Sequence, residues 1–299
     1  MSALASTEHE RIDLVAMSGK PVLRPRRPGQ LAVIALLVLA VAWAAGTLVT
    51  NDGFDWPVVG RYLFDTRILA GLLVTIQLTV IAEVIGIVGG LVLAVMRMSD
   101  SRVIAGVAGG YIWFFRGTPL LVQLLFWGFA AAIFPEVGIG VPFGGPMFVS
   151  WDTNQVISLM TAAILGLGLN EAAYTAEVVR AGLLSVPKGQ TEASRAMGFS
   201  ALQTLRHVVV PQAMKVIIPP IGNNVNAMLK TTSLVVVIGV GDVLYNAQQI
   251  YAKNLEQIPL LIVASIWYLV LTTLVGLGQS RLERRFSRDA VPLTLREAR

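Results

Sequence analysis

Cysteine is absent from the chain, and histidine nearly so, with only His9 and His207 among 299 residues. Disulfides, thiolate catalysis, Cys-ligated metals and a His-rich metal centre are therefore excluded. Charge is scarce as well: 14% of residues are charged, against about 25% in a soluble domain. Apolar residues take their place, at 55% of the chain with a mean hydropathy of +0.69. Length alone would allow one or two soluble domains, but so little ionic surface points instead to an all-α polytopic membrane protein. Three motifs are also missing. Without G-x-x-x-x-G-K-[ST] the chain is not expected to hydrolyse ATP, and without H-E-x-x-H or G-x-S-x-G neither a metalloprotease nor a serine hydrolase is indicated. No catalytic residue and no metal site is expected. The net charge of +5 could signal nucleic acid, but in a membrane protein it fits cytoplasmic loops rich in Lys and Arg. No nucleic-acid partner is expected.

A bilayer core of about 30 Å takes roughly 20 apolar helical residues. Six runs qualify: Leu31–Val49, Ile68–Met96 with Glu83 inside, Val103–Phe134 interrupted by Arg116, Asn154 to Ala176 with Glu171, Val216 to Leu244 broken by Lys230, and Ile258–Ser280. They are continuous and do not alternate as barrel strands do. The first run exceeds a signal peptide's apolar stretch of about 7–15 residues, so a retained helix is expected. The N-tail (Arg11, Lys20, Arg24, Arg26, Arg27), the turn at Arg97 and Arg102, the polar loop (Arg180, Lys188, Arg195, Arg206, Lys215) and the C-tail (Arg281, Arg284, Arg285, Arg288, Arg296, Arg299) hold eighteen basic residues. The opposite loops hold Arg61, Arg67 and Lys253. That bias puts both termini in the cytoplasm. The outer segments Thr50–Thr66 and Pro135–Thr153 read as passive, the second as a turn-rich loop. The tail 1–30 is expected to be disordered, its basic cluster suited to anionic lipid. The expected organisation is a tail (1–30), an extra helix (31–49), a membrane domain (68–285) containing a cytoplasmic loop (185–213), and a tail (286–299).

That loop is polar yet keeps helical periodicity. Pro187-Lys188-Gly189 is a break, and Gln190–Met197 reads as a short helix with Ala193 and Ala196 on a small-residue face. Gly198 stands where a left-handed helix stop belongs. Ser200 and Gln203 form an S-x-x-Q capping box that starts a second helix running toward Pro211. The result is a helix–glycine–helix elbow, either a membrane-surface loop or a rigid protrusion shaped for a partner.

Glu192-Ala193-Ser194, then Gly198, then Val210-Pro211 resemble the EAA loop of ABC-importer permeases, whose pattern is Glu-Ala-Ala, three residues, Gly, nine residues, Ile, one residue, Leu-Pro. Ser194, Val208 and Val210 depart from it by small or isosteric changes. The segments Arg116–Gln123, Ala173–Gly182, Val186–Gln190, Pro211–Ala213 and Lys230–Leu234 resemble the polar amino-acid permeases of that family. The resemblance covers roughly 71–285 and implies the transmembrane domain of a type I ABC importer in a bacterial inner membrane. It further implies that the elbow (Glu192, Ala193, Ser194, Gly198, Pro211) docks on an ATPase subunit dimer that binds ATP and Mg. A second permease subunit and an extracytoplasmic substrate-binding protein would complete the assembly. An ion-coupled secondary transporter is the rival reading; it would explain the intramembrane charges but not the elbow.

The candidate substrate pathway comprises Arg116, Asn170, Glu171, Asn223, Asn224 and Lys230. An Arg inside a bilayer costs about 2.5–3.5 kcal/mol, so Arg116 either snorkels or caps a helix broken near Gly117 and Pro119, or serves the pathway. Asn223, Asn224 and Asn226 with Lys230 either bond between helices or line a polar passage. Glu171 and Glu83 either meet a substrate ammonium or pair with Arg116 or Lys230. Glu177 and Arg180 read as cytoplasmic-side structural or gating charges, Asp242 as a helix-end cap, and the Gly86–Gly90 and Gly106–Gly110 spacings as packing within the subunit.

Overall fold

The computed structural model describes residues 28–141 and 145–287, which are mainly helical. Most of both basic tails therefore lies outside the described residues. The chain divides at Phe54 into two units. The first contains helix α1, Pro28–Thr50, followed by a 3-10 turn at Asp52–Phe54. Uncharged and strongly apolar from Ala32 to Thr50, α1 is long enough to cross a membrane.

The second unit opens earlier than the sequence reading placed the membrane domain. Helix α2, Trp56–Tyr62, buries Val58 and Val59 against Ile68, Val243, Ala247 and Leu260, so part of the supposedly passive segment belongs to the packed body. Asp65 caps the 32-residue helix α3, Thr66–Arg97, and its carboxylate meets Arg67 at 2.8 Å. That guanidinium holds Asp65 below the usual carboxylate range. The third apolar run divides into α4, Arg102–Gly117, and α5, Leu120–Gly128. Pro119 has no N–H to continue the ladder, and the chain is extended at Thr118 and Pro119.

Between α5 and the next long helix, Glu136–Gly140 (β1) and Met147–Asp152 (β2) pair antiparallel, with Ile139 opposite Val149 and Val137 opposite Trp151. The glycines and prolines that suggested a loop conceal these β-branched and aromatic cross-strand pairs. Helix α6, Leu159–Leu184, starts five residues later than the expected run and ends eight later. It carries Glu177 and Arg180 in its last turns because the two neutralise each other at 2.8 Å. After it come α7, Lys188–Ala196, and a helix opening at Ala201–Thr204 that continues to Thr231 as α8, Val210–Thr231. Pro211 does not end that helix. The ladder widens to π form over Leu205–Val209, with Val210 N–H reaching the Leu205 carbonyl. This accommodates a residue that has no donor. Beyond a 3-10 stretch at Thr232–Ile238, Gly239 takes φ +81°, and the chain bends by 47° into α9, Val243–Asn254. Helix α10, Gln257–Ser287, closes the described chain.

By length and hydropathy α1, α3 and α10 each suffice to cross a membrane, and the helix from Ala201 to Ile238 does so together with α9. The two pieces α4 and α5 are individually short, and α6 is diluted by Asn170 and Glu171. The fold is organised around the seam between α3 and α6. Gly86 lies under Glu171, Gly90 under Thr175 and Gly89 under Ala172; a Cβ at Gly90 would come within 2.6 Å of Thr175. Small residues at this spacing let two helices approach closely. The Gly106–Gly110 pair differs: a Cβ at either position would meet nothing within 4 Å. The seam is flanked by a core of Leu78, Ala82, Leu124, Leu167, Met228 and Val235. A smaller core of Ala94, Val179, Ala213 and Ile217 lies toward the elbow.

Candidate functional site

Two features stand out, the elbow and a polar cleft between α6 and α8. The elbow is a folded unit in its own right. Gly198 at φ +85° donates to the Arg195 carbonyl, and Phe199 N–H reaches back to Ser194, closing α7 with a Schellman motif. Ser200 and Gln203 form the reciprocal capping box, at 3.3 and 2.8 Å. The buried residue of α7 is Ser194, not Ala193 or Ala196, which are exposed. Its hydroxyl donates to the Thr191 carbonyl and lies 3.0 Å from the Thr204 hydroxyl, tying the two arms together. Successive helical residues are rotated by about 100°, so with Ser194 turned inward its alanine neighbours face out. Glu192 is exposed at the middle of α7, later in the helix than the sequence suggested. Met197 (76% exposed) and Leu202 (72%) form an apolar crest over the turn, with Phe199 and Leu205 beside them.

In the cleft, Glu171 is 7% exposed. Its Oε1 accepts from Thr175 (3.0 Å) on its own helix and from the Asn224 amide (2.7 Å) on α8. Glu171 and Asn224 line a cavity of about 330 Å3 together with Leu120, Asn170, Tyr174, Ala227, Met228 and Thr231. A second cavity, of about 360 Å3, shares Tyr174 and Asn224 and adds Arg116, Glu177 and Val178. Arg116 stacks on the Tyr174 ring at 5.2 Å. Glu171 therefore lines one cavity and Arg116, together with Glu177, the other, with Tyr174 and Asn224 common to both. This is the charge arrangement that an amino-acid zwitterion needs when it loses its water.

The other intramembrane polar residues are held elsewhere. The Asn170 amide donates to the Phe115 carbonyl (2.9 Å) and to Gln123 (3.2 Å). Gln123 donates in turn to Phe115 and Thr118, satisfying the break between α4 and α5. Asn170 thus touches the cleft while mending the break. Asn223 faces α10, where Gln279 donates to it at 2.9 Å. Lys230 lines a separate shallow cavity with Ser233, Ser265 and Tyr268. Helical geometry explains both departures: the cleft face of α8 is Asn224, Ala227, Met228 and Thr231, a run of i, i+3, i+4 and i+7, and positions 223 and 230 fall off it. Thr231 and Tyr174, which sequence reasoning gave no role, are legible in retrospect, Thr231 from that spacing and Tyr174 as the i+3 neighbour of Glu171 on α6. Asp242 caps α9 through Tyr245 N–H and accepts from the Tyr268 hydroxyl. Asp65 pairs with Arg67, and Glu177 with Arg180. Neither Glu171 nor Glu83 pairs with Arg116 or Lys230.

Comparison with known proteins matches residues 86–288 to the family described as binding-protein-dependent transport system inner membrane component. The chain is 44% identical over 275 residues to the arginine transport system permease protein ArgU of Corynebacterium glutamicum, covering 91% of this chain and 85% of that one. It is 32% identical to the glutamine transport system permease protein GlnP of Escherichia coli K12, covering 78% and 97%. Among solved structures, one titled as an amino acid ABC transporter with histidines superposes with a TM-score of 0.63 at 36% identity, covering 78% and 98%. The inward-facing MetNI methionine transporter, at 22% identity and a TM-score of 0.53, shares the fold.

Proposed function

The chain belongs to the binding-protein-dependent transport system inner membrane components, and from that premise we propose how its residues divide the work of moving an amino acid. It is the permease subunit of an ATP-driven, binding-protein-dependent amino-acid importer, a multi-pass protein of the bacterial inner membrane. It is a transport subunit and not an enzyme; ATP hydrolysis belongs to a separate ATPase subunit. The ion-coupled reading has no support.

The substrate is an α-amino acid whose ammonium is taken by Glu171 and whose carboxylate is taken by Arg116, with Asn224 replacing lost water. One observation carries this assignment: the Asn224–Glu171 bond, 2.7 Å long and part-buried, bridges α6 and α8 at the cleft. Three residues separate the end of α6 from the elbow, whose second arm runs without a break through the π turn into α8. A push on the elbow is therefore a push on both helices that hold the cleft. The exposed face of α7 with Glu192 and Ala193, and the crest of Met197 and Leu202, fit a groove on the ATPase. ATP with Mg, bound by that subunit, drives closure, and the elbow transmits it as alternating access. Such coupling needs two global states that both sites bias differently. A binding protein delivers substrate from outside, and a second permease subunit, identical or different, completes the pore.

Proteoliposomes containing this chain, its ATPase subunit and its binding protein should accumulate amino acid only with ATP inside or outside according to orientation. Uptake driven by an ion gradient without ATP would overturn the reading. The excess of Lys and Arg in the tails and the elbow supports a cytoplasmic position for both termini and the elbow. Single cysteines at Ser200 and Asp55, introduced into a chain with no native cysteine, should label only from inside and only from outside respectively. Labelling of Ser200 from outside intact cells would refute that placement.

A further inference from the structure

Glu83 has no part in the assignments above, and it is the acid that burial most isolates. Its side chain is 5% exposed, and neither carboxylate oxygen has a hydrogen-bond partner. The other acids of the membrane region are satisfied: Glu171 by Thr175 and Asn224, Glu177 by Arg180, Asp242 by Tyr245 and Tyr268. Glu83 stands on the face of α3 that packs against α6. Gly86, one turn further along that face, lies under the Glu171 methylenes. Glu83, three residues before Gly86, therefore lies on the same α3–α6 seam as Glu171.

The charges in this region do not balance. A zwitterion held by Glu171 and Arg116 uses one acid and one cation and leaves Glu83 over. Lys230 lines another cavity, and Arg67 and Arg180 have carboxylates of their own. An unpaired carboxylate in a low-dielectric interior is costly, and intramembrane ionisable groups mark substrate pathways. A second positive charge on the substrate would complete the balance. Position 86 has no side chain, and the Glu171 methylenes fill the space beside it, so an extended substrate chain reaches Glu83 only when Glu171 swings off α3.

We propose that Glu83 is a specificity-determining residue, the carboxylate that takes the distal cation of a basic amino acid whose α-ammonium is held by Glu171. This rests on the cleft assignment above and narrows its substrate class from α-amino acids to those with a cationic side chain.

The test uses the complex of this chain with its ATPase subunit in lipid nanodiscs, without binding protein, so that only the membrane site selects. It is titrated with L-lysine and with L-norleucine, which has the same methylene chain and no distal charge. Lysine should bind at least about tenfold more tightly, as expected when a buried polar group is left unpaired by the poorer ligand. Glu83→Gln should bring lysine down to the norleucine level and leave norleucine unchanged, while Glu171→Gln should weaken both. If the wild-type complex binds the two ligands equally, or Glu83→Gln retains the lysine preference, the proposal is overturned while the cleft assignment stands. If Glu171→Gln weakens neither ligand, the cleft assignment falls and takes this inference with it. If Glu83→Gln loses affinity for both ligands alike, Glu83 is structural and the proposal fails. If that variant does not assemble, the wild-type lysine-to-norleucine ratio decides by itself.

Discussion

Gly198→Val should separate ATP hydrolysis from uptake while leaving the complex assembled in the membrane. Gly198 is at φ +85°, and a Cβ there would meet nothing within 4 Å. The penalty is therefore in the backbone and not in packing. A side chain in the left-handed region costs roughly 1–2 kcal/mol, and a β-branched one more. The elbow relieves it by turning α7 away from the helix that starts at Ala201, which breaks the Ser194–Thr204 contact and displaces the Met197 and Leu202 crest. Nothing in the cores around Leu78 or Val243 is disturbed. Allosteric coupling energies of this kind amount to about 5-fold to 150-fold in affinity terms, and substrate-stimulated uptake per assembled complex should drop within that range. Glu192→Lys, which reverses a charge on the exposed face of α7, should act in the same direction. Gly198→Ala should be milder than valine, because it lacks the branched carbon. Normal uptake by both Gly198→Val and Glu192→Lys would remove the elbow from the coupling route.

Glu171→Gln should reduce uptake about a hundredfold at unchanged assembly. Losing one partner of a buried, hydrogen-bonded charge pair costs about 2–5 kcal/mol. The amide preserves the shape of the side chain against Gly86 and still accepts from Asn224, so the helix seam survives. What is lost is the charge that meets the substrate ammonium. Gly86→Val gives the contrasting outcome. Its new methyl groups would occupy the space of the Glu171 methylenes, and over-packing of a tight helix pair costs about 1–3 kcal/mol or more. That variant should lower the amount of assembled complex without a selective loss of uptake per complex. Measuring uptake and assembled complex together separates the roles. A Glu171→Gln complex that assembles poorly yet transports normally per complex would make Glu171 a structural residue, and unchanged values of both would reject either role.

Much of the elbow was legible because its signals are local. A glycine six residues after Glu192 and a Ser–Gln pair three residues apart specify a left-handed stop and a capping box whatever surrounds them, since both are backbone hydrogen-bonding devices within one turn. Its packed residue was not legible. Whether Ser194 or Ala193 faces the second arm depends on the angle between the two helices, and that angle is set by Thr204, ten residues away. The break at Gly117–Pro119 was likewise local and readable, whereas its repair by Gln123 and Asn170 joins residues 47 apart in the chain.

The sequence by itself determined the class of protein, the approximate course of most of its long apolar helices and the presence of a helix–glycine–helix elbow, because hydropathy, periodicity and capping act over one to a few turns. The tertiary structure alone decided which polar residues share a space. Asn223 and Asn224 are neighbours in the chain, yet one faces α10 and the other meets Glu171, because adjacent helical residues are rotated by about 100° and only packing fixes which direction is inward. Lys230, intramembrane like Glu171, was separated from it for the same reason. Glu83 and Glu171 were brought to one seam because Gly86 and Gly90 allow α3 and α6 to touch, a contact between residues more than eighty positions apart that no local pattern encodes.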